Sequence, residues 1–140
     1  MNNAPDSQST SSDPHDETPC YVLGGGSNGA ALAGHLRTDD RSVCFVDDWN
    51  HTTEIPTITG DPSELRVLET IEMPPSAVVI VASRSDERNL LIAQLVRTTF
   101  DVARIYVVTN QPERTDPIAD AGYEPLCVTT AVYETLSNTV

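Results

Sequence analysis

The chain has 140 residues, enough to bury one ordinary hydrophobic core and too few for a second domain of usual size. Its formal net charge is −13 at pH 7, because 21 acidic residues face 8 basic ones, all of them arginine. Such a balance repels nucleic acid and anionic membrane surfaces, and since concentrated salt screens the self-repulsion, it favours a halophilic archaeal source.

The first 18 residues are predicted to form a solvated tail. They are rich in Ser, Asn, Asp and Pro, so they cannot bury enough apolar surface to offset the entropy lost on ordering. The tail lacks the basic start and apolar centre of a secretory signal, and no later apolar run approaches the roughly 20 residues that span a bilayer. We therefore expect a single domain over residues 19–140 in a cytoplasmic protein.

A strand, a glycine-rich turn and a helix open the predicted domain. Residues 20–23 form a short apolar run that favours a buried strand, and the Ala-rich stretch 29–37 favours a helix. Gly24 permits a tight turn off the strand, Gly26 leaves room for a ligand's phosphates, and Gly29 lets the helix lie close to the sheet. The pattern is typical of a nucleotide-binding turn.

The phosphates of such a ligand would lie against the start of this helix. Ser27 and Asn28 stand inside the turn, where unpaired N–H groups and the positive end of the helix dipole favour an anion. The next predicted strand, residues 43–46, is closed by Asp47, about 20 residues after the first glycine, as a dinucleotide fold requires. We expect Asp47 to accept hydrogen bonds from the ribose hydroxyls. Asp48 adds a negative charge where a 2′-phosphate would lie, and no arginine follows nearby, so NADP is disfavoured.

The remaining predicted elements alternate between strands and helices. Strands are predicted at residues 55–59, 77–82, 104–109 and 125–128. Helices are predicted from residue 62 with Asp61 as the N-cap, over 86–100, over 113–121 before Gly122, and from about residue 130. This alternation predicts an α/β, Rossmann-like fold in one domain, with a doubly wound parallel sheet and helices on both faces.

Apolar side chains at helical spacing indicate the faces that turn toward the core. The expected inward residues are Leu65, Leu68 and Ile71 on the second helix and Leu90, Leu91, Leu95 and Val96 on the third. The three cysteines are Cys20, Cys44 and Cys127, and they lie in apolar runs without CxxC spacing. Buried thiols are therefore favoured over a disulfide framework or a zinc site.

Six short motifs follow one another along the ordered part of the chain. They are VLGGGSNGAALA, VCFVDD, TGDPSELRVLETI, VVIVASRSDERNLLIAQLVR, VVTNQP and AGYEPLCVTTAVYETL. Together with the order of elements from Tyr21 to Leu136, these motifs resemble the regulator-of-potassium-conductance N-terminal domain, also called the TrkA N-terminal domain. The resemblance implies a regulatory nucleotide-binding module of a potassium transport system or potassium channel, which binds NAD(H), ATP, ADP or AMP without turning it over.

The resemblance also implies further site residues and partners. By similarity, Asp61 would contact the adenine edge, and Ser83 and Asn89 would lie beside the ligand at the mouth of the sheet. Many relatives have a basic residue near the end of the fifth strand that reaches a phosphate, and Val108 takes that place here. The implied partners are a second copy of the chain and a membrane potassium transporter or channel subunit on a separate chain. We expect neither the family's second lobe nor most of its crossover helix from the residues given after Thr130.

Two other classes of function use the same fold. An NAD-dependent oxidoreductase of the short-chain class needs a tyrosine with a lysine four residues later, and this sequence contains no lysine. A module that has lost its ligand and serves only protein interaction is the other alternative. Trp49 either stacks on an adenine or covers the edge of the core, and His51 is the one histidine placed to reach a ligand. From the sequence we expect ligand sensing without catalysis.

Overall fold

The computed structural model describes residues 18–38, 40–49 and 54–139. The predicted tail, except for Thr18, and His51 lie outside the described residues. Within the described part, no helix is both long enough and apolar enough to cross a membrane.

Six strands form one sheet in which every pair of neighbours is parallel. The spatial order is β3-β2-β1-β4-β5-β6. The strands are β1 (Cys20–Leu23), β2 (Val43–Asp47), β3 (Thr57–Thr59), β4 (Val78–Val81), β5 (Arg104–Thr109) and β6 (Glu124–Cys127). This topology confirms the predicted α/β fold, and the strand order reverses direction between β1 and β4.

The helices cover both faces of the sheet, and two of them differ from the prediction. They are α1 (Gly26–Leu36), α2 (Leu65–Leu68), α3 (Asp86–Thr99), α4 (Thr115–Asp120) after a 3-10 turn (Pro112–Arg114), and α5 (Val128–Thr139). Helix α1 begins three residues earlier than expected, inside the glycine turn. Helix α2 is a single turn that begins after Glu64, because Asp61 caps a separate turn through the N–H of Ser63 instead of the helix itself.

Near-continuous apolar strands supply the core, because a parallel sheet covered on both faces buries alternate side chains on each side. Val22 and Phe45 pack toward Ala33 of α1, whereas Leu23 and Val46 pack toward α2 and α3. On α3 the fully buried row is Asn89, Ile92, Ala93 and Val96. Leu91, predicted to be inward, is 47% exposed because it lies off this row.

The three cysteines are free, but they are not equally buried. Cys20 is buried in β1, and burial raises the pKa of its thiol to about 11. Cys44 and Cys127 are only partly buried, so the predicted burial holds fully for Cys20 alone. The described residues contain no group of three or more His, Cys, Asp or Glu side chains that could hold a metal ion.

Candidate functional site

A cleft of about 470 Å³ opens at the carboxyl ends of β1, β2 and β4. This is the point where the strand order reverses, and open α/β sheets bind their ligands at such a point. Three segments line the cleft: Gly24, Gly25, Gly26, Ser27 and Asn28; Asp47, Asp48 and Trp49; and Ser83, Arg84, Ser85 and Arg88. Most of the site residues predicted from the sequence therefore lie together, while Gly29, Asp61 and Asn89 lie outside this lining.

The glycine turn is held by a residue that the sequence analysis passed over. Gly25 adopts a φ of +101°, and a Cβ there would lie 2.8 Å from the carbonyl oxygen of Ala82 and 2.9 Å from the backbone of Gly29. Both the left-handed backbone and the close approach of β4 thus require glycine at this position. The run of three glycines indicated that Gly25 is required, but the GxGxxG pattern allows any residue at its second position.

Some of the backbone N–H groups at the start of α1 already donate hydrogen bonds within the chain. The N–H of Gly26 donates to Oδ2 of Asp47 over 2.7 Å, and those of Asn28 and Gly29 both donate to the carbonyl of Gly25 over 3.1 Å. Ser27 lies between them, and no described residue accepts a hydrogen bond from its N–H group. The start of a helix favours an anion, so this N–H is a donor that the turn offers to a ligand.

Asp47 links the end of β2 to the glycine turn. The residue is only 5% exposed, and its carboxylate accepts the N–H of Gly26 at Oδ2 and the N–H of Asp48 at Oδ1, each over 2.7 Å. Each carboxylate oxygen can accept a second hydrogen bond, so the group is held in place with capacity left for a ligand hydroxyl. Asp48 is exposed beside it, and a hydrogen bond with Asp47, together with partial burial and the charges of neighbouring carboxylates, raises the pKa of Asp48.

Asp61 lies beside the cleft, and one oxygen of its carboxylate already accepts hydrogen bonds from residues of this chain. Its Oδ1 accepts hydrogen bonds from the N–H of Ser63 at 2.9 Å, from the Ser63 hydroxyl at 2.7 Å, and from Nη2 of Arg88. Burial alone would raise the pKa of Asp61, but the hydrogen bonds from Ser63 and the charge of Arg88 outweigh it and hold that pKa below its usual range. The adenine contact expected for Asp61 would have to be made by its other oxygen.

Arginine does reach the region of Asp48, contrary to the expectation from the sequence. Arg84 and Arg88 follow β4 and line the same cleft as Asp48, and the charge of Arg88 offsets part of the rise in the pKa of that carboxyl. No arginine is near Asp48 along the chain, but the reversal in strand order brings these two close in space. The argument from charge therefore no longer separates NAD from NADP.

Asn89 lies behind the wall of the cleft and fixes its backbone by hydrogen bonds. It is 0% exposed, its Oδ1 accepts the N–H of Ser83 at 2.9 Å, and its Nδ2 donates to the carbonyls of Ser83 and Val108, both at 2.8 Å. These bonds hold the Ser83 backbone beside Gly24 and tie β4 to β5. Ser83 lines the cleft and Asn89 does not, so in this structure Asn89 positions the backbone of Ser83.

A second network fixes the start of α3, which carries Arg88. Asp86 accepts the hydroxyl of Thr109 at 2.8 Å and the N–H of Asn110 at 3.0 Å. Burial would raise the pKa of Asp86, but the bonds from Thr109 and Asn110 and the nearby Arg114 hold it below its usual range. Because such a carboxylate is ionised at neutral pH, the network fastens the wall of the cleft under ordinary conditions.

Similarity to known proteins agrees with this geometry. A family model described as the TrkA-N domain matches residues 20–129. The Trk system potassium uptake protein TrkA of Mycobacterium tuberculosis is 27% identical over 115 residues, which cover 78% of this chain and 52% of that protein. The chain therefore spans about half the length of the curated relatives it matches.

Three solved structures share the fold. The NAD(P)-binding domain of an exopolyphosphatase-related protein from Archaeoglobus fulgidus has a TM-score of 0.70 and 21% identity, covering 85% of this chain and 95% of that one. The GsuK channel has a TM-score of 0.65 and 20% identity over 81% of this chain and 22% of its own. An AMP-bound Kef C-terminal domain from Shewanella denitrificans has a TM-score of 0.64 and 15% identity over 87% and 81%.

Proposed function

The chain belongs to the TrkA-N domain family, and we propose that it is a regulatory nucleotide-binding module of a potassium transport system or potassium channel. The observation that carries the proposal is the cleft at the reversal of strand order. There the glycine turn, the N–H of Ser27, which no described residue accepts, and the hydrogen-bonded carboxylate of Asp47 come together. The proposed physiological role rests on membership of the family, and the proposed class of ligand rests on the residues of the cleft.

The ligand we propose is NAD(H), with ATP, ADP or AMP as alternatives. All of these carry a ribose for Asp47 and at least one phosphate for the turn at Ser27, and the cleft of about 470 Å³ is in the range of ligand pockets. Two neighbours in fold support a nucleotide, since one is named as an NAD(P)-binding domain and another was solved in an AMP-bound form.

Asp47→Ala should abolish the stabilisation by nucleotide. A ligand at about 100 times its dissociation constant should raise the free energy of unfolding of the native chain by about 2.7 kcal/mol. The variant loses the ribose acceptor and also releases the N–H of Gly26, so the turn no longer keeps its shape. Thermal shift with NAD, NADH, ATP, ADP and AMP, measured as the change on adding ligand, checks this.

The matched control for this experiment is Asp101→Ala, which removes one exposed carboxylate from the loop between α3 and β5. It should keep the full shift. A native chain that none of the five nucleotides stabilises would favour the interaction module without a ligand. A full shift in Asp47→Ala would overturn the ribose role while leaving nucleotide binding intact.

We further propose that the module senses its ligand without catalysis. The residues that line the described cleft are Gly, Ser, Asn, Asp, Trp and Arg, and they include neither the tyrosine nor the lysine that an oxidoreductase of the short-chain class needs. Purified protein mixed with NAD and candidate alcohols or aldehydes should give no hydride transfer. Turnover at ordinary enzymatic rates would contradict the proposal.

The proposed partners are a second copy of the chain and a potassium transporter or channel subunit, reached from the cytoplasmic side of the membrane. Helix α5 contacts mainly β6 and leaves an apolar face in solvent, with Tyr133 69% and Leu136 55% exposed. Val132 on the same helix is 52% exposed. An exposed apolar stripe of this kind favours a protein interface.

Val132→Glu combined with Leu136→Glu should weaken self-association about 100-fold. Each apolar side chain contributes about 1.5 kcal/mol or more when an interface buries it, and carboxylates there would repel their copies. Sedimentation in high salt measures the effect, with Ser137→Glu, an exposed polar position on α5, as the control. A native chain that sediments as a monomer at every concentration would contradict the dimer.

A further inference from the structure

Arg88 carries an unsatisfied donor in the wall of the cleft. Among the described residues, its Nε is the buried side-chain nitrogen or oxygen that has no hydrogen-bond partner. Its Nη2 donates a hydrogen bond to Asp61, so one nitrogen of the guanidinium is paired while Nε has no acceptor. A buried N–H without an acceptor is costly, and sites of this kind call for a partner from outside the chain.

The backbone of Arg88 is held in place. The residue lies in the first turn of α3, and its N–H donates to the hydroxyl of the N-cap Ser85 over 3.2 Å. Asp86 fastens the same turn to Thr109 and Asn110. The side chain is 37% exposed and lines the cleft, so an acceptor for Nε has to approach through the cleft.

The charge near Arg88 differs from that of the molecule as a whole. The chain carries a net charge of −13 with 8 arginines, and two of these, Arg84 and Arg88, line this one cleft beside the start of α1. The planar guanidinium presents N–H donors side by side, an arrangement that matches two oxygens of a phosphate. The two arginines balance Asp47 and Asp48 in the same lining, so a strongly acidic chain has here a cleft without net negative charge that can admit a phosphate near Ser27.

We infer that Arg88 is a specificity-determining residue of the cleft and that its Nε–H binds an oxygen of the ligand's phosphate chain. The inference rests on the proposed function, because the ligand is the nucleotide proposed above. Arg88 would then serve as the phosphate-binding cation of the cleft, since the end of β5 carries the apolar Val108 and no basic residue. The ion pair with Asp61 stays in place when the ligand binds, since Nε and Nη2 serve different acceptors. The cleft should then prefer ADP to AMP, and AMP to adenosine.

Titration calorimetry with adenosine, AMP and ADP tests the inference on four chains. Arg88→Gln should lower the affinity for ADP about 10- to 100-fold, the range expected for a hydrogen bond to a charged group, and change that for adenosine less than about threefold. Arg88→Lys keeps the charge and can still pair with Asp61 but has no group at Nε, so it should lose about tenfold for ADP. Arg66→Gln makes the same change of net charge on an exposed side chain of α2 and should bind like the native chain.

Each outcome separates this inference from the proposed function. Equal losses for adenosine, AMP and ADP in both Arg88 variants would place the contact on the base or ribose and overturn the phosphate assignment. Native affinity of Arg88→Lys for ADP would show that Nε is not used and would overturn it as well. A native chain that binds none of these three ligands but is stabilised by NAD(H) or ATP would overturn the expected preference for ADP and so this inference alone. A native chain that binds no nucleotide at all would overturn the proposed function first, and this inference with it.

Discussion

A Gly29→Ala variant should lose about 3 kcal/mol of its free energy of unfolding and bind no nucleotide. A Cβ at this position would overlap the carbonyl oxygen of Gly24 and lie 2.9 Å from Cε1 of Phe45. Neither neighbour can retreat, because Gly24 is fixed between β1 and the glycine turn and Phe45 is fully buried in β2. Helix α1 would have to move away from the sheet, and overpacking of this kind costs about 1–3 kcal/mol or more.

Gly34→Ala in the same helix is the matched control. No atom lies within 4 Å of a Cβ built there, and alanine in a helix is favoured over glycine by about 0.5–1 kcal/mol, so this variant should be more stable than the native chain. Chemical denaturation of both variants, together with the nucleotide-induced thermal shift, measures the effects. A Gly29→Ala protein with native stability and native binding would contradict the close packing of α1 on the turn.

The strands of the sheet could be predicted from the sequence because they are buried on both faces and are therefore rich in apolar residues. Residues 20–23 and 104–109 are apolar runs bounded by turn residues, and the structure begins and ends β1 and β5 at those positions. The beginning of α1 was predicted wrongly for a physical reason. The sequence pattern assigns Gly26 to the phosphates, but its N–H pairs with Asp47, and that bond lets the helix begin at Gly26.

The contacts that shape the cleft were not predicted, because they join residues far apart in the chain. Arg88 pairs with Asp61 across 27 positions, and Asn89 bonds to Val108 across 19. Spacing rules compare neighbours on one helix or strand, so they do not detect a pair that the assembly of the sheet and its helices brings together. One signal was available: Asn89 lies three and four residues before Ile92 and Ala93, on the buried row of α3.

An Asn89→Ala variant should lose roughly 3–5 kcal/mol of its free energy of unfolding. Alanine leaves the N–H and carbonyl of Ser83, which are buried, and the carbonyl of Val108, which is part-buried, without their partner. Each buried polar group left unpaired costs about 1–3 kcal/mol, and three are affected at once. The loss should also loosen the Ser83 backbone beside Gly24, so the cleft should bind nucleotide more weakly than in the native chain.

Gln94→Ala is the control for Asn89→Ala, because Gln94 lies on the exposed side of the same helix and its loss should change stability by less than about 0.5 kcal/mol. Denaturant unfolding gives the free energies, and hydrogen exchange at the Ser83 amide reports the broken bond directly. That amide should exchange faster in Asn89→Ala than the loss of global stability alone accounts for. A loss below about 1 kcal/mol with an unchanged Ser83 amide would show that the cleft does not depend on Asn89. The loop after β4 would then be held by the hydrogen bonds of Ser85, Asp86 and Asn110.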